Sequence, residues 1–421
     1  MLMTPTLALT GRLLDPLRPT LTEDGVLLIA GDRIVASGPR ATTPIPDGVP
    51  TLQGGTLLPG LMDLHVHARP AYASWFPRAG VTTVRDAASS LENLRALRTH
   101  PGAPRMFGAG PALDGPGSIF AQFGPGAFEA PGDPVAGGWC VRTPEDAIRA
   151  VDALADAGVD TVKLYEQLTP DAYRAAAARA HARELPVMTD LGTAFTRGLS
   201  GAQVDALQAI ACGVRSIEHV SGYALAYQRL GGDPLADSLN AAHLDHLARV
   251  TVDHGVTLVP TLVNLAGFAG TLEPLTLNTP AGPALDGLQH QWSYLRALPD
   301  SMRAAALADL RLAVALCVRV LDLGGRVVAG TDTPAAPDVL PGAGLHAELR
   351  LFAALLGLSP ARALQAATTD AAGLLGRADL GTLQPGTLAD VLIVDGRPDV
   401  TLADAARVRH VVQAGVPATV A

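Results

Sequence analysis

The stretch LLPGLMDLHVH, residues 57–67, places two histidines at the end of a short apolar run. The run LMDLHVH that follows Pro59 and Gly60 has the length and composition of a buried β-strand. Side chains at positions i and i+2 of a strand point to the same side, so His65 and His67 can reach one metal ion together. Taken alone, this spacing is a weak signal, and the rest of the chain must decide its meaning.

Seven more apolar strand candidates follow, and helical stretches rich in Ala, Leu and Arg separate them. This alternation is typical of βα units around a parallel sheet, and eight such units predict an α/β fold, a (β/α)8 barrel of the TIM type. The strand candidates are, in order, LMDLHVH, VTTVRDA, PRMFGAG, VDTVKLY, PVMTD, VRSIEHV, TLVPTLV and RVVAGTD.

Two segments exceed what a minimal barrel needs, namely 108–138 and 264–300, and both are predicted as loop insertions. The uncharged stretch GVTLVPTLVNLAGFAGTL is long enough to suggest a membrane span. Its Pro260, Asn264 and three glycines favour a strand followed by a loop instead.

Both ends of the chain have a different sequence pattern, in which Gly, Pro and Asp turns separate short β-type runs. Residues 1–58 and 383–421 are therefore predicted to form one small β domain, a β-sandwich built from the two termini. Residues 59–382 form the predicted barrel.

The composition limits the classes of function. The chain has 421 residues, 48% hydrophobic residues and a net charge of -9, and it lacks a clustered basic stretch. These features argue against nucleic acid and membranes as partners and favour a small-molecule substrate. Three dispersed cysteines and the lack of a leader-like start predict a cytoplasmic protein.

Polar residues able to bind metal occur at the ends of five predicted strands. Besides the two histidines of the first strand, they are Lys163, Asp190, His219 and Asp332. Because the carboxyl ends of all barrel strands meet at one mouth, these side chains are expected to converge there. Lys163 is the only lysine among 31 Lys and Arg residues. A buried lysine can lose its proton and be modified, which an arginine cannot do.

Several of these motifs, LLPGLMDLHVH, GVTTVRD, TVKLY, SIEHVSG, LVPTLV, AGTDTP and the closing GTLQPGTLADVLIVDG, occur in an order that resembles the amidohydrolase superfamily. The resemblance is to its imidazolonepropionase-like and Xaa-Pro dipeptidase-like branch. It implies two divalent metal ions, with zinc expected and manganese or iron as alternatives. His65, His67 and Asp332 would hold the more buried ion, and His219 the second. The resemblance also implies that Lys163 carries a carbamate derived from CO2 that bridges the two ions.

One position departs from the family pattern, because Asp190 stands where a histidine is usual at the end of strand five. A carboxylate can bind zinc and suits harder ions such as manganese. The alternatives are that the second metal is weak or absent, or that Asp190 contacts the substrate. Three residues near the predicted mouth are candidates for substrate binding: Tyr165, Tyr223 and His346. For Tyr223, packing is an equally good interpretation.

The predicted function is metal-dependent hydrolysis of an amide, peptide or related C–N bond. A metal-activated hydroxide would attack, and Asp332 would transfer its proton to the leaving amine. A mononuclear hydrolytic deaminase and a non-enzymatic assembly protein on the same fold remain as alternatives. The loops contain no motif that identifies the substrate. The resemblance implies a homo-oligomer.

Overall fold

A computed structural model of the chain describes residues 4–18, 20–197, 199, 202–273 and 281–418. Strands are numbered β1–β18 and α-helices α1–α14 in chain order. The predicted fold class is confirmed: a (β/α)8 barrel carries a separate, mainly antiparallel sheet made from both chain ends. The boundaries placed at residues 58 and 383 stay predictions, and the outermost residues, 1–3 and 419–421, lie outside the described ranges.

The barrel strands are the eight that the sequence indicated, although most are shorter than the apolar runs. They are β5 Leu61–Val66, β6 Val81–Asp86, β7 Arg105–Gly108, β11 Val162–Leu164, β12 Val187–Thr189, β13 Ser216–Glu218, β14 Thr257–Val259 and β15 Arg326–Val327. Neighbouring strands pair in parallel from β5 through β6 to β7, and from β11 through β12, β13 and β14 to β15. Between these two sets of strands, the N–H of Asp160 donates to the carbonyl oxygen of Gly108 at 2.9 Å, and the N–H of Leu64 donates to the carbonyl oxygen of Ala329 at 3.0 Å. These bonds close the barrel.

Strand β4, Thr51–Pro59, joins the two chain ends in the small sheet, because it pairs in parallel with β1 and antiparallel with β16. Leu7 and Leu9 of β1 pack in one apolar cluster while Ala8 between them packs in another, as the two-residue period of a strand requires. The other strands of this sheet are β1 Leu7–Leu13, β2 Thr22–Ala30, β3 Arg33–Pro39, β16 Val391–Val394, β17 Val408–Gln413 and β18 Val416–Ala418.

Helices pack around the barrel and bury their apolar faces against it. Helix α3 shows why they begin where they do, since Thr143 and Asp146 form a reciprocal capping box at its first turn. No helix in the described ranges is long and apolar enough to cross a membrane. The helices are α1 Trp75–Arg78, α2 Leu91–Thr99, α3 Pro144–Asp156, α4 Pro170–Ala182, α5 Ala194–Arg197, α6 Ala206–Ala211, α7 Tyr223–Arg229, α8 Ala241–Asp253, α9 Leu262–Ala269, α10 Pro283–Arg296, α11 Asp300–Asp322, α12 Ala343–Leu356, α13 Pro360–Ala366 and α14 Thr369–Leu374.

The loop predicted after the seventh barrel strand was wrong, because helix α9 begins at Leu262. No side chain caps this helix locally. Instead, the two oxygens of the buried carboxyl group of Glu348, from α12, accept hydrogen bonds from the N–H groups of Leu262 and Val263 at 2.9 and 2.7 Å. A cap supplied from a distant part of the chain leaves no local sequence signal.

The two predicted insertions are also more ordered than loops. The segment 108–138 contains β8 Ala112–Asp114 and β9 Phe128–Glu129, and β10 Gly138–Cys140 begins at its end. Strand β8 pairs with β11 beside the barrel. The segment 264–300 contains most of α9 and all of α10, while its residues 274–280 lie outside the described ranges.

Candidate active site

His65, His67 and Asp332 come together at the carboxyl end of the barrel. One potential ligand atom from each lies within 4.8 Å of the other two. Asp332 Oδ1 is 2.9 Å from His67 Nε2 and 3.4 Å from His65 Nε2. His65 is fully buried, whereas the His67 side chain remains 27% exposed. The group therefore has one side that faces the mouth.

The donor atoms of this group fit a metal ion. His65 Nε2 and Asp332 Oδ1 are buried, and neither makes a hydrogen bond of good geometry among the described residues, although Asp332 Oδ1 lies 2.9 Å from His67 Nε2. Buried polar atoms are almost always satisfied, so two such atoms directed at each other indicate a missing partner. Imidazole nitrogen and carboxylate oxygen are the ligand types that zinc and related divalent ions prefer.

Lys163, Asp190 and His219 form a second group beside the first. Asp190 Oδ2 lies 3.6 Å from Lys163 Nζ and 3.4 Å from His219 Nε2. The ring of His219 is 4.5 Å, between centroids, from the ring of His65. All six residues predicted at the strand ends thus converge at one mouth.

Opposite charges within this second group set its pKa values. Burial alone raises the pKa of Asp190, but His219 and Lys163 outweigh burial and hold the pKa of the carboxyl below its usual range. Burial likewise lowers the pKa of His219, yet Asp190 and Asp332 raise it overall. The neighbouring charges therefore favour the ionised form of Asp190 and the protonated form of His219.

Two residues at the start of helix α9 contact one residue from each group. Thr261 Oγ1 is 2.6 Å from His219 Nδ1, and Asn264 Nδ2 donates to Asp332 Oδ2 at 2.8 Å. Thr261, His219 and Asp332 all have left-handed backbone conformations, with φ of 47°, 57° and 57°. Such conformations are unfavourable for non-glycine residues and cluster at functional sites.

The three candidate substrate-binding residues have different surroundings. The ring of Tyr165 lies 5.1 Å from Lys163 Nζ, so it borders the second group. Tyr223 is fully buried and its hydroxyl is 2.6 Å from Thr251 Oγ1 of helix α8. His346 Nε2 is 2.8 Å from the carbonyl oxygen of Ala79, next to helix α1. Among these three residues, only Tyr165 has a described contact with the His/His/Asp group or the Lys/Asp/His group.

Sequence reasoning missed the residues that support the site, above all Arg85, Glu218, Thr261 and Asn264. Glu218 Oε2 is 2.6 Å from His65 Nδ1, and Arg85 Nη2 donates to both oxygens of Glu218. Arg85 and Glu218 lie in the motifs VTTVRD and SIEH. Charged residues within short strands of an otherwise apolar barrel were the available signal.

The His/His/Asp group, which could hold a metal ion, and the Lys/Asp/His group both lie at the carboxyl mouth of the barrel, where barrel enzymes have their active sites. The model of the amidohydrolase family matches residues 56–420 of the chain. The protein belongs to the amidohydrolase family and is a hydrolase, as the sequence motifs predicted.

Similar proteins agree with this membership. The imidazolonepropionase of Deinococcus deserti is 26% identical over 423 aligned residues, which cover 94% of this chain and 92% of that protein. A Xaa-Pro dipeptidase solved with bound methionine has a TM-score of 0.71 at 20% identity and covers 98% of this chain and 99% of its own. Ochratoxinase from A. niger has a TM-score of 0.71 at 20% identity, with 97% and 94% covered. The two solved structures share the fold.

The cap on helix α9 makes stability depend on pH. Burial raises the pKa of Glu348 from 4.5 to about 8, against the lowering effect of the two N–H donors. Below pH 4.5 the carboxyl is protonated in both the folded and the unfolded state. Between pH 4.5 and about 8 only the unfolded chain loses the proton, so the free energy of unfolding falls as pH rises.

We expect Glu348→Gln to remove this contribution, which amounts to on the order of 1.4 kcal/mol per pH unit for one proton. Urea unfolding curves at several pH values, for wild type and variant, measure the difference between their slopes. Asp309→Asn is the matched control, because burial raises the pKa of that carboxyl only to about 6. Parallel slopes for wild type and Glu348→Gln above pH 6 would show that Glu348 does not titrate in this range.

Proposed function

We propose that the protein hydrolyses an amide, peptide or related C–N bond with the help of divalent metal ions. The observation that carries this proposal is the convergence of His65, His67 and Asp332, with His65 Nε2 and Asp332 Oδ1 buried and without a hydrogen bond of good geometry among the described residues. These three residues would hold the first ion. When bound there, a divalent ion lowers the pKa of water and polarises a substrate carbonyl.

Asp332 is the proposed proton carrier. Asn264 donates to Asp332 Oδ2 and so fixes the plane of the carboxylate, while Oδ1 points toward the two histidines. In this position Asp332 would accept a proton from the attacking water and deliver it to the leaving amine. The partly exposed His67 lies on the side from which substrate would enter.

The second ion is proposed to lie between Asp190 and His219, with Lys163 as a carbamate bridge. Asp190 Oδ2 and His219 Nε2 are 3.4 Å apart, and the amine of Lys163 is within 3.6 Å of the same oxygen. Carboxylation joins the neutral amine to CO2 and releases one proton. Because Asp190 replaces an imidazole by an oxygen ligand, manganese should compete better with zinc at this position.

One observation favours a second candidate, a mononuclear hydrolytic deaminase. Unmodified Lys163 is placed to form an ion pair with Asp190, and its Nζ also faces the ring of Tyr165. If this pair persists, Lys163 and Asp190 bind no ion, and His65, His67, His219 and Asp332 serve one metal.

A metal analysis joined to a hydrolysis screen tests the proposed function. The full chain, loaded with zinc or with manganese, is offered dipeptides, N-acyl amino acids, lactams, esters and aminated bases. The proposal expects two ions per chain and cleavage within the first three classes. The dipeptides are included because a similar structure is by name a Xaa-Pro dipeptidase. One ion with release of ammonia favours the deaminase, and no bound metal contradicts both candidates.

Lys163→Ala should lose the second ion and most activity, because no amine remains to be carboxylated. Short-chain carboxylic acids should restore part of both, since their carboxylate can occupy the place of the carbamate. Lys163→Arg is the matched control: it keeps the positive charge but cannot form a carbamate. Metal content and turnover are measured together, and full activity in Lys163→Arg would disprove the bridge.

Asp190→Asn should weaken retention of the second ion, because the change removes a charge at nearly constant shape. Asp190→His should preserve or strengthen zinc binding, since it supplies the imidazole for which zinc is a good acceptor. Metal content after dialysis is measured beside KM. Unchanged metal content with a raised KM in both variants would instead assign Asp190 to the substrate, the sign of lost ground-state binding.

A further inference from the structure

Glu218 lies behind His65 and is completely buried. Its Oε2 is 2.6 Å from His65 Nδ1 and 3.0 Å from Arg85 Nη2. Its Oε1 accepts from the same Arg85 nitrogen at 2.9 Å and from Ser216 Oγ at 2.6 Å. Each carboxylate oxygen therefore has two donors, and this buried acid is fully satisfied.

We propose that Glu218 and Arg85 are a positioning pair that fixes the tautomer of His65 and so prepares the first metal site. This inference rests on the proposed function, because it requires that His65 binds a metal ion. An ionised carboxylate only accepts hydrogen bonds, so His65 Nδ1 must be the donor. In the neutral ring the lone pair then lies on Nε2, the atom that faces Asp332.

The histidines differ in this respect. His67 Nδ1 is 3.0 Å from the carbonyl oxygen of Ala88, which also only accepts, so its Nε2 is likewise free to bind a metal. His219 Nδ1 faces the hydroxyl of Thr261, which can donate or accept. At the first site, both His65 and His67 therefore have Nε2 free to bind a metal ion, and for His65 the acceptor that fixes this tautomer is a charged carboxylate. At the second site, the hydroxyl that faces His219 does not fix the tautomer.

Arg85 acts through Glu218. Its Nε donates to the carbonyl oxygen of Leu64 at 2.7 Å, which ties the guanidinium to the residue next to His65. Its Nη1 donates to Ser216 Oγ at 3.1 Å. The guanidinium thus connects strands β5, β6 and β13 and holds the carboxylate against the imidazole. Carboxylates that orient a ligand histidine in this way typically contribute about 10- to 100-fold to metal affinity.

The test is the zinc dissociation constant of the tightest site, measured on the full chain by competition with a chelator, beside the melting temperature. Glu218→Gln should raise this constant about 10- to 100-fold. Asp15→Asn is the matched control. Asp15 is a buried acid in the small β unit, where Thr382 Oγ1 donates to it at 3.0 Å. That variant should lower the melting temperature and leave zinc binding as in the wild type.

A double variant separates positioning from stability. Arg85→Met leaves a buried charge without its partner and should lower the melting temperature, whereas Arg85→Met with Glu218→Met removes both charges and should recover much of that loss. Zinc affinity should stay weak in the double variant, because His65 Nδ1 no longer has its acceptor. Either Glu218 variant that folds carries the test.

Affinity that returns together with the melting temperature, or wild-type affinity in Glu218→Gln, would overturn the positioning role and leave the proposed function intact. A wild-type chain that binds no zinc and no manganese would overturn both.

Discussion

The carbonyl oxygen of His65 accepts hydrogen bonds from the backbone N–H groups of Thr331 and Asp332, at 3.2 and 2.7 Å. These bonds join the segment that follows the eighth barrel strand to the first strand, and they involve two of the three residues of the candidate metal group. Asp63 strengthens the same seam, because its two oxygens accept from the N–H and the hydroxyl of Thr331 at 3.0 and 2.7 Å. Closure of the barrel and assembly of the site therefore depend on the same hydrogen bonds, although the residues involved are far apart in the chain.

This coupling explains how much could be predicted from the sequence. Barrel topology brings strand ends together whatever the loops do, so strand candidates with His, Lys or Asp at their ends were sufficient to locate His65, Lys163 and Asp332 at one mouth. Helix α9 could not be predicted, because its cap comes from Glu348 on a distant helix. The position of Tyr223 just past a ligand strand was compatible with both pocket lining and packing, and its buried side chain has its hydroxyl 2.6 Å from Thr251 of α8.

The two groups of the site differ in how they are supported. Behind the first group lies a buried network in which the charge of Arg85 balances that of Glu218. Burial raises the pKa of Glu218, but Arg85 and His65 outweigh burial and lower it to about 2. The second group has no such backing among the described contacts, and it consists of an ion pair and a histidine that faces a hydroxyl. A preformed first site would bind an ion without rearrangement, whereas an ion at the second group would first have to separate Lys163 from Asp190.

The charge balance then gives the single lysine its meaning. In the unmodified chain Lys163 is a buried cation, 2% exposed, placed between Asp190 and the ring of Tyr165. A carbamate would replace that positive charge by a negative one beside Asp190 and Asp332. Three buried anions at one mouth are strongly unfavourable without cations, so carboxylation and metal binding would each require the other. An arginine at position 163 would keep its charge under all conditions, and it would hold the second group permanently in its metal-free arrangement.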